Sequence, residues 1–334
     1  MKNKKKHTLS LSNLPIIAGG FSIVGPKEGE GPLNKFFDVV LEESIFGEST
    51  WEKAESKLIR TAVDGAVSKV GLSHTDVDFI LAGDLLNQCA SSSFGLRGFN
   101  VPFIGLYGAC STMAESIMLS SLLVDGGYGE NIVATTSSHF CSAERQFRFP
   151  LEYGGTRPET SQWTVTGSGA VVISAKGNGP KIKRVTPGKI VDYGVKDANN
   201  MGAAMAPAAA DTIISFLEDT KEDIKSYDMI LTGDLGKIGS QLLMDILAEN
   251  GYKTDKHYDC GLLIFDLENQ DVHSGGSGCG CAASVFSGYI LSNLISKRIK
   301  KMLFIATGAL MSPTTTQQGE SIPGIAHLIE IVCE

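Results

Sequence analysis

Two stretches of nearly the same sequence, Phe79-Ile-Leu-Ala-Gly-Asp-Leu85 and Met229-Ile-Leu-Thr-Gly-Asp-Leu235, lie 150 residues apart (85 to 235). Each is an apolar run of strand length that ends in glycine and aspartate. Three further pairs flank these stretches in the same order in both halves: residues 76–78 with 226–228 before them, and 110–116 with 279–284 and 133–135 with 305–307 after them. Four matched pairs in one order predict an internal duplication, with halves at residues 1–180 and 181–334.

Apolar runs of strand length alternate with segments that carry helix signals. The runs are residues 16–24, 79–82, 103–107, 132–136, 170–174, 229–232, 262–265, 302–306 and 326–332. Helices are predicted at Ser49-x-x-Glu52 and Thr112-x-x-Glu115, which have the form of capping boxes, and over residues 240–250 and 282–296. This alternation predicts an α/β fold with parallel central strands.

The composition argues against several classes of protein. A net charge of −8 argues against a nucleic-acid partner, and no apolar stretch reaches the ~18 residues that a membrane span needs. The one basic cluster, Lys2, Lys4, Lys5, Lys6 and His7, predicts a solvated terminus or, alternatively, a weak tether to anionic lipid. No apolar segment follows it, so no signal peptide is expected. Seven scattered cysteines indicate reduced thiols in a cytosolic-type compartment.

Cys110 is the candidate pocket thiol. It follows the run 103–107 through Gly108-Ala109 and stands where the helix at Thr112 begins. Free N–H groups and the positive end of the helix dipole favour a thiolate there, so its pKa is expected to fall below about 8.5. The alternative is an inert core cysteine.

Asp84 and Asp234 occupy equivalent places in the two halves, each after a strand and a glycine. Either they cap the segments that follow, or they face one pocket as acid–base groups or cation ligands. His139 comes at the carboxyl end of the strand over 132–138, where ligands of open α/β sheets bind. A structural histidine is the alternative there.

Arginines alternate with aromatic residues between positions 141 and 158. Arg145, Arg148 and Arg157 would suit a planar anion through bidentate and stacking contacts, and an ordinary surface loop is the alternative. Cys279-Gly280-Cys281 has no second cysteine pair or clustered histidines, so no zinc site is expected.

Four unusual strings, residues 107–115, 162–170, 191–201 and 273–282, carry a family resemblance. They resemble the stage V sporulation protein AD family, within the thiolase-like superfamily, and the likeness spans nearly the whole chain. It implies duplicated αβα layered halves related by pseudo-twofold symmetry. It also implies a pocket at the place of the condensing-enzyme active site, with Cys110, His139 and Asp84 as lining candidates.

The resemblance implies a function in spore-forming bacteria. A protein of this family is expected to bind dipicolinic acid (pyridine-2,6-dicarboxylate), alone or as its calcium chelate, and to support its uptake into the developing spore and release during germination. It would act as a peripheral subunit at the inner spore membrane, with other stage V sporulation membrane proteins as partners. A homodimer is expected by analogy with the superfamily only.

The predicted ligand-binding set joins the two lines of reasoning. Its members are Cys110, His139, Asp84, Asp234, Arg145, Arg148 and Cys279. No cofactor is expected except calcium that arrives with the ligand, which Asp84 or Asp234 would meet.

Departures from the condensing enzymes predict a non-catalytic protein. Synthases of the initiating type pair their cysteine with a histidine and an asparagine of the second half, and the matching positions here read Thr232-Gly-Asp234 and Gly278-Cys279-Gly280. A carboxylate beside Cys110 would raise the pKa of the thiol, against the helix dipole. The alternative function is an acyltransferase or ketoacyl synthase-type condensing enzyme with Cys110 as the acyl-accepting nucleophile.

Overall fold

Strands and helices alternate along the chain, as the sequence predicts. The computed structural model describes residues 6–147 and 156–333. In these ranges the strands are β1 (Leu9–Ser10), β2 (Ile16–Val24), β3 (Val39–Val40), β4 (Phe79–Gly83), β5 (Phe103–Gly105), β6 (Asn131–Ser138), β7 (Trp163–Thr164), β8 (Gly167–Ser174), β9 (Lys181–Thr186), β10 (Met229–Thr232), β11 (His257–Asp259), β12 (Gly276–Ser277), β13 (Lys301–Ala309) and β14 (Gly324–Val332). The α-helices are α1 (Pro26–Gly29), α2 (Trp51–Lys69), α3 (Ala90–Leu96), α4 (Thr112–Asp125), α5 (Phe140–Phe147), α6 (Met201–Thr220), α7 (Gly236–Glu249), α8 (Cys260–Leu263), α9 (Cys279–Val285), α10 (Leu291–Ile295) and α11 (Pro313–Gln317).

The two halves repeat one strand order. Twelve of the described strands form a single sheet whose main path is β11-β10-β13-β14-β9-β2-β8-β6-β4-β5. Numbered by chain order within its half, each set of five lies as 3-2-4-5-1 from the outer edge to the centre. The parallel and antiparallel pairings also match strand for strand. The halves meet where β2 pairs with β9, at Ile16 and Lys181, so the predicted duplication is confirmed.

Alternate residues of each strand face two different cores. In β4, Ile80 packs towards α2 while Leu81 faces the central core. In β10, Ile230 packs towards α6 and α7 while Leu231 faces the same central core. Helix α4 and the continuous helix through α9 and α10 fill that core between the two halves of the sheet. Each half is therefore an αβα arrangement that shares its inner helices with the other.

Some local predictions are wrong. Residues 262–265 were expected to form a strand, but Leu262 and Leu263 lie in α8, since a short apolar run fits either structure. The side chain that caps α2 belongs to Thr50 and not to Ser49. Thr112 donates its hydroxyl to the carbonyl of Ala109 and does not cap α4. None of the helices in the described ranges has the length and apolar content that a membrane crossing requires.

Candidate functional site

A cleft opens beside Cys110 where strand ends of both halves converge. Its empty volume is about 550 Å³, a figure that includes space open to solvent. Its described lining consists of Leu85, Tyr107, Ala109, Cys110, Ala143, Glu144, Phe147, Thr164, Ala198, Met201, Ser277, Ala309 and Met311. Apolar side chains predominate, and no lysine, arginine or histidine belongs to this described set.

The turn between β5 and α4 sets the position of Cys110. Ala109 has a φ of 49°, in the left-handed region that costs a residue with a Cβ of order 1–2 kcal/mol. The hydroxyls of Ser111 and Thr112 hold this turn by donating to the carbonyls of Gly108 and Ala109, each at 2.6 Å. Cys110 consequently lies at the buried floor of the cleft, with 6% of its surface exposed.

The carboxylate of Asp234 reaches the thiol of Cys110 from the second half. The two side chains lie close enough for the carboxylate to act on the pKa of the thiol. The carboxylate also accepts from the hydroxyl of Thr307 at 2.8 Å, the hydroxyl of Ser277 at 3.1 Å and the main-chain N–H of Gly278 at 3.2 Å. Gly278 has a φ of 98°, a conformation that glycine adopts at low cost. The second half thus supplies a carboxylate that is held beside the thiol.

Burial and the charge of Asp234 raise the pKa of the Cys110 thiol well above its ordinary value. Burial also raises the pKa of Asp234 to about 7. The predicted fall in the pKa of Cys110 is therefore wrong, because desolvation and the neighbouring carboxylate outweigh the helix N-terminus. The prediction that a carboxylate beside Cys110 would raise the pKa of the thiol is confirmed.

The second-half histidines make their contacts elsewhere. His257 lies 2.9 Å from the hydroxyl of Thr232, and burial lowers its pKa to about 4. His273 lies between Glu159 and Asp271, at 3.5 and 3.1 Å. His327 accepts at Nδ1 from the N–H of Gly188 at 3.2 Å. Among the described contacts of the chain, none joins any of these three rings to Cys110. No imidazole of the second half therefore stands beside the thiol in this part of the structure.

Asp84, the equivalent of Asp234 in the first half, lies behind the cleft and outside its described lining. Its Oδ1 accepts from the N–H of Leu86 at 2.9 Å, and its Oδ2 accepts from the N–H and the hydroxyl of Ser92 at 2.7 and 2.6 Å. Burial raises the pKa of its carboxyl. Of the two interpretations of the paired aspartates, the cap describes Asp84, whereas Asp234 is buried beside the thiol of Cys110 and also lies outside the described lining of the cleft.

His139 is turned away from the cleft. Its Nδ1 accepts from the N–H of Cys141 at 3.2 Å, so Nε2 carries the proton and donates to the carbonyl of Ser44 at 2.9 Å. Burial lowers its pKa, which keeps the ring neutral. Its contacts are those of a structural histidine, the alternative interpretation.

Of the remaining predicted residues that the structure describes, Cys279 lies beside Cys110 and Arg145 does not. Arg145 pairs with Glu52 on the outer surface, and its guanidinium lies 5.3 Å from the centroid of the Trp51 ring. Arg148 lies outside the described residues. Cys279 is buried beside Cys110 in one apolar cluster and donates to the carbonyl of Ser137 at 3.0 Å.

Sequence reasoning missed most of the cleft wall. Met201 and Ser277 lie within strings already singled out for the resemblance, and Phe147 lies within the segment of alternating arginines and aromatics. Tyr107 also lies within one of those strings. Met311 gave no chemical signal, because walls of a cleft form wherever the fold places apolar side chains. In the described ranges, no group of three or more histidine, cysteine, aspartate or glutamate residues could hold a metal ion.

Comparison with known proteins gives one family and one fold. The family model for stage V sporulation protein AD matches residues 5–332. Stage V sporulation protein AD of Bacillus subtilis (strain 168) is 46% identical over 328 residues, which cover 98% of this chain and 97% of that protein.

Two solved structures share the fold at low sequence identity. The first is 3-oxoacyl-[acyl-carrier-protein] synthase III from Aquifex aeolicus VF5, with a TM-score of 0.57 and 12% identity over 95% of this chain and 99% of that one. The second is a variant of OleA from Xanthomonas campestris, with a TM-score of 0.62 and 12% identity over 97% of this chain and 99% of that one. The α/β fold is therefore that of the thiolase-like condensing enzymes.

Proposed function

The chain belongs to the stage V sporulation protein AD family, and from this premise we propose that it is a non-catalytic protein that binds dipicolinic acid in the cleft beside Cys110. One observation carries the proposal: the Cys110 thiol meets the carboxylate of Asp234 and not an imidazole. Acyl transfer by cysteine needs a thiolate and a base that generates it. A thiol whose pKa is raised by burial and by a carboxylate supports a binding role for the cleft.

The shape and polarity of the cleft are compatible with a small flat ligand. Leu85, Phe147, Met201 and Met311 offer apolar surface to an aromatic ring. A hydroxyl of the lining, that of Thr164, can donate to a carboxylate. Because the described lining carries no cationic side chain, we favour the neutral calcium chelate over the free dianion.

Calcium in this proposal arrives with the ligand. Asp84 already accepts three hydrogen bonds, and Asp234 is held by Thr307, Ser277 and Gly278. Neither carboxylate is free to complete a protein cage around the ion without breaking these contacts. The protein would act as a peripheral subunit that delivers the ligand to membrane partners, in uptake during spore formation and in release during germination.

Isothermal titration of the full chain with dipicolinate, with and without calcium, tests this proposal. We expect binding heat that is larger or appears at lower ligand concentration when calcium is present. Met311→Trp, which fills the cleft, should abolish the heat, whereas Met244→Trp on the partly buried face of α7 is the matched control and should not. The absence of heat at millimolar ligand under both conditions would refute the proposal.

A condensing enzyme is the second candidate, because the fold is shared with 3-oxoacyl-[acyl-carrier-protein] synthase III and Cys110 follows a turn in which Ala109 has a positive φ. Incubation with a panel of acyl-coenzyme A thioesters, followed by intact mass, distinguishes the two. Acyl adducts that disappear in Cys110→Ser would favour catalysis. No adduct is expected from the binding protein.

A further inference from the structure

A basic groove lies on the outer face of the first half, away from the cleft. Lys53, Lys57 and Arg60 follow one another along the exposed face of α2, and Arg97 ends α3 beside them. The groove has an empty volume of about 1120 Å³, including space open to solvent. Four cations against Glu48, the one acid of its described lining, form a positive surface on a chain of net charge −8.

Most of these cations lack an acidic partner within the described part of the chain. Lys57 lies 3.6 Å from Glu48. Lys53 donates only to the hydroxyl of Ser49, at 3.1 Å. Arg60 donates through Nε to the carbonyl of Gly95, at 3.0 Å, which fixes its guanidinium against α3. Their positive charge is therefore available to an external anion.

An exposed aromatic ring stands in the same groove. Phe94 of α3 lines it and is 61% exposed. The guanidinium of Arg97 lies 5.3 Å from the centroid of this ring. A phenyl ring that projects into solvent beside basic side chains is the pairing that surface-bound proteins present to the headgroup region of a membrane.

We propose that this groove docks the protein on a bilayer that contains anionic phospholipid. Lipid phosphates would meet Lys53, Arg60 and Arg97, and the ring of Phe94 would enter the headgroup layer. The exposed ring favours an occupant with an apolar layer beneath its charges, as a bilayer has, over a purely polar acidic segment, because the ring gains by leaving water. The inference stands on this surface alone and does not depend on the ligand of the cleft.

Sedimentation of the full chain with vesicles tests the proposal. We expect binding to phosphatidylglycerol–phosphatidylcholine vesicles at low salt, no binding to pure phosphatidylcholine, and loss of binding at high salt. Lys53→Gln with Arg97→Gln should weaken the binding about 25-fold, at about fivefold per basic residue near an anionic surface. Phe94→Ser should weaken it at every salt concentration at which the wild-type protein still binds.

The matched control is Lys253→Gln with Lys256→Gln, which removes the same charge from an exposed turn of the second half and should change nothing. Lys4→Gln with Lys5→Gln tests the basic start and should have the smaller effect. The proposal is overturned if wild-type protein ignores anionic vesicles, if the control pair loses as much binding as the groove pair, or if only the Lys4–Lys5 pair matters. The heat of dipicolinate binding should be unchanged in the same variants. A negative result for membrane docking can therefore be told apart from a negative result for dipicolinate binding.

Discussion

Asp84 and Asp234 occupy the same place in two copies of one motif, yet they have different surroundings. Asp84 closes the loop of its own half by accepting from Leu86 and Ser92. Asp234 crosses to the other half and meets the thiol of Cys110. A duplicated sequence thus supplies one carboxylate that caps a loop and one carboxylate that lies beside the thiol.

The neighbouring edge strand explains the difference. Strand β11 ends in Asp259, which accepts from the N–H groups of Leu235 and Gly236 at 2.9 and 3.0 Å. The register places Asp259 opposite Thr232, and the matching position of the first half, opposite Ala82, is Gly105. Glycine has no side chain to cap the loop, so Asp84 must do so. In the second half Asp259 caps the loop by accepting from Leu235 and Gly236. Asp234 is therefore not needed as the cap and faces Cys110.

The largest expected difference is in stability. Asp84→Ala leaves the buried N–H groups of Leu86 and Ser92 without acceptors, which should lower the free energy of unfolding by about 2–5 kcal/mol. Asp234→Ala removes the acceptor of one main-chain N–H, that of Gly278, and should cost about 1–3 kcal/mol. Urea unfolding of both variants measures this. If Asp234→Ala lowers the free energy of unfolding as much as Asp84→Ala does, or more, the structural role assigned to Asp84 is wrong.

The pH dependence of stability should follow the buried acids. Burial, and then the charge of Asp84, raise the pKa of Glu55 to about 8. Between the ordinary carboxyl pKa and that value the folded state holds a proton that the unfolded state has lost. Raising the pH from about 6 to about 8 should therefore lower the free energy of unfolding, by about 1–2 kcal/mol for this group.

Glu55→Gln removes the titrating group and should flatten this loss. Asp234→Asn should flatten it less, since the pKa of Asp234 is raised only to about 7. Denaturant titrations at a series of pH values would show both effects. A pH dependence of the wild-type protein that Glu55→Gln leaves unchanged would contradict the assignment of a buried protonated carboxyl.

The smallest expected effect concerns Thr135 and Thr307, which are matched threonines of the repeat. Thr307 donates to Asp234 at 2.8 Å, whereas Thr135 donates to the carbonyl of Gly169 at 2.9 Å. Either valine substitution should cost about 1 kcal/mol of stability. Only Thr307→Val should change the reactivity of the Cys110 thiol. Without this donor a smaller fraction of Asp234 is ionised, so the pKa of the thiol falls and its alkylation should become roughly twofold to threefold faster. Equal alkylation rates in both variants would argue against the Asp234 contact.

The sequence predicts the fold better than it predicts the site. The repeat at Asp84 and Asp234 and the alternation of strands and helices are local patterns, and they suffice for the duplicated α/β halves. The site depends on register between distant strands. Neither motif alone shows that Asp259 and Gly105 occupy equivalent positions. The difference between Asp84 and Asp234 follows from that equivalence, so it could not be predicted from the motifs. Likewise His139 stands at a strand end as predicted, but Ser44, which fixes its ring, lies 95 residues away.

The central claim is that Asp234 suppresses the thiol of Cys110, and the pH profile of its alkylation tests this most directly. Peptide mass spectrometry after iodoacetamide treatment separates Cys110 from the other six cysteines. The account predicts a wild-type rate that still rises at about pH 10, and a profile for Asp234→Asn displaced downward by about one pH unit, or tenfold in rate. A wild-type plateau below about pH 8, or identical profiles for the two proteins, would contradict it.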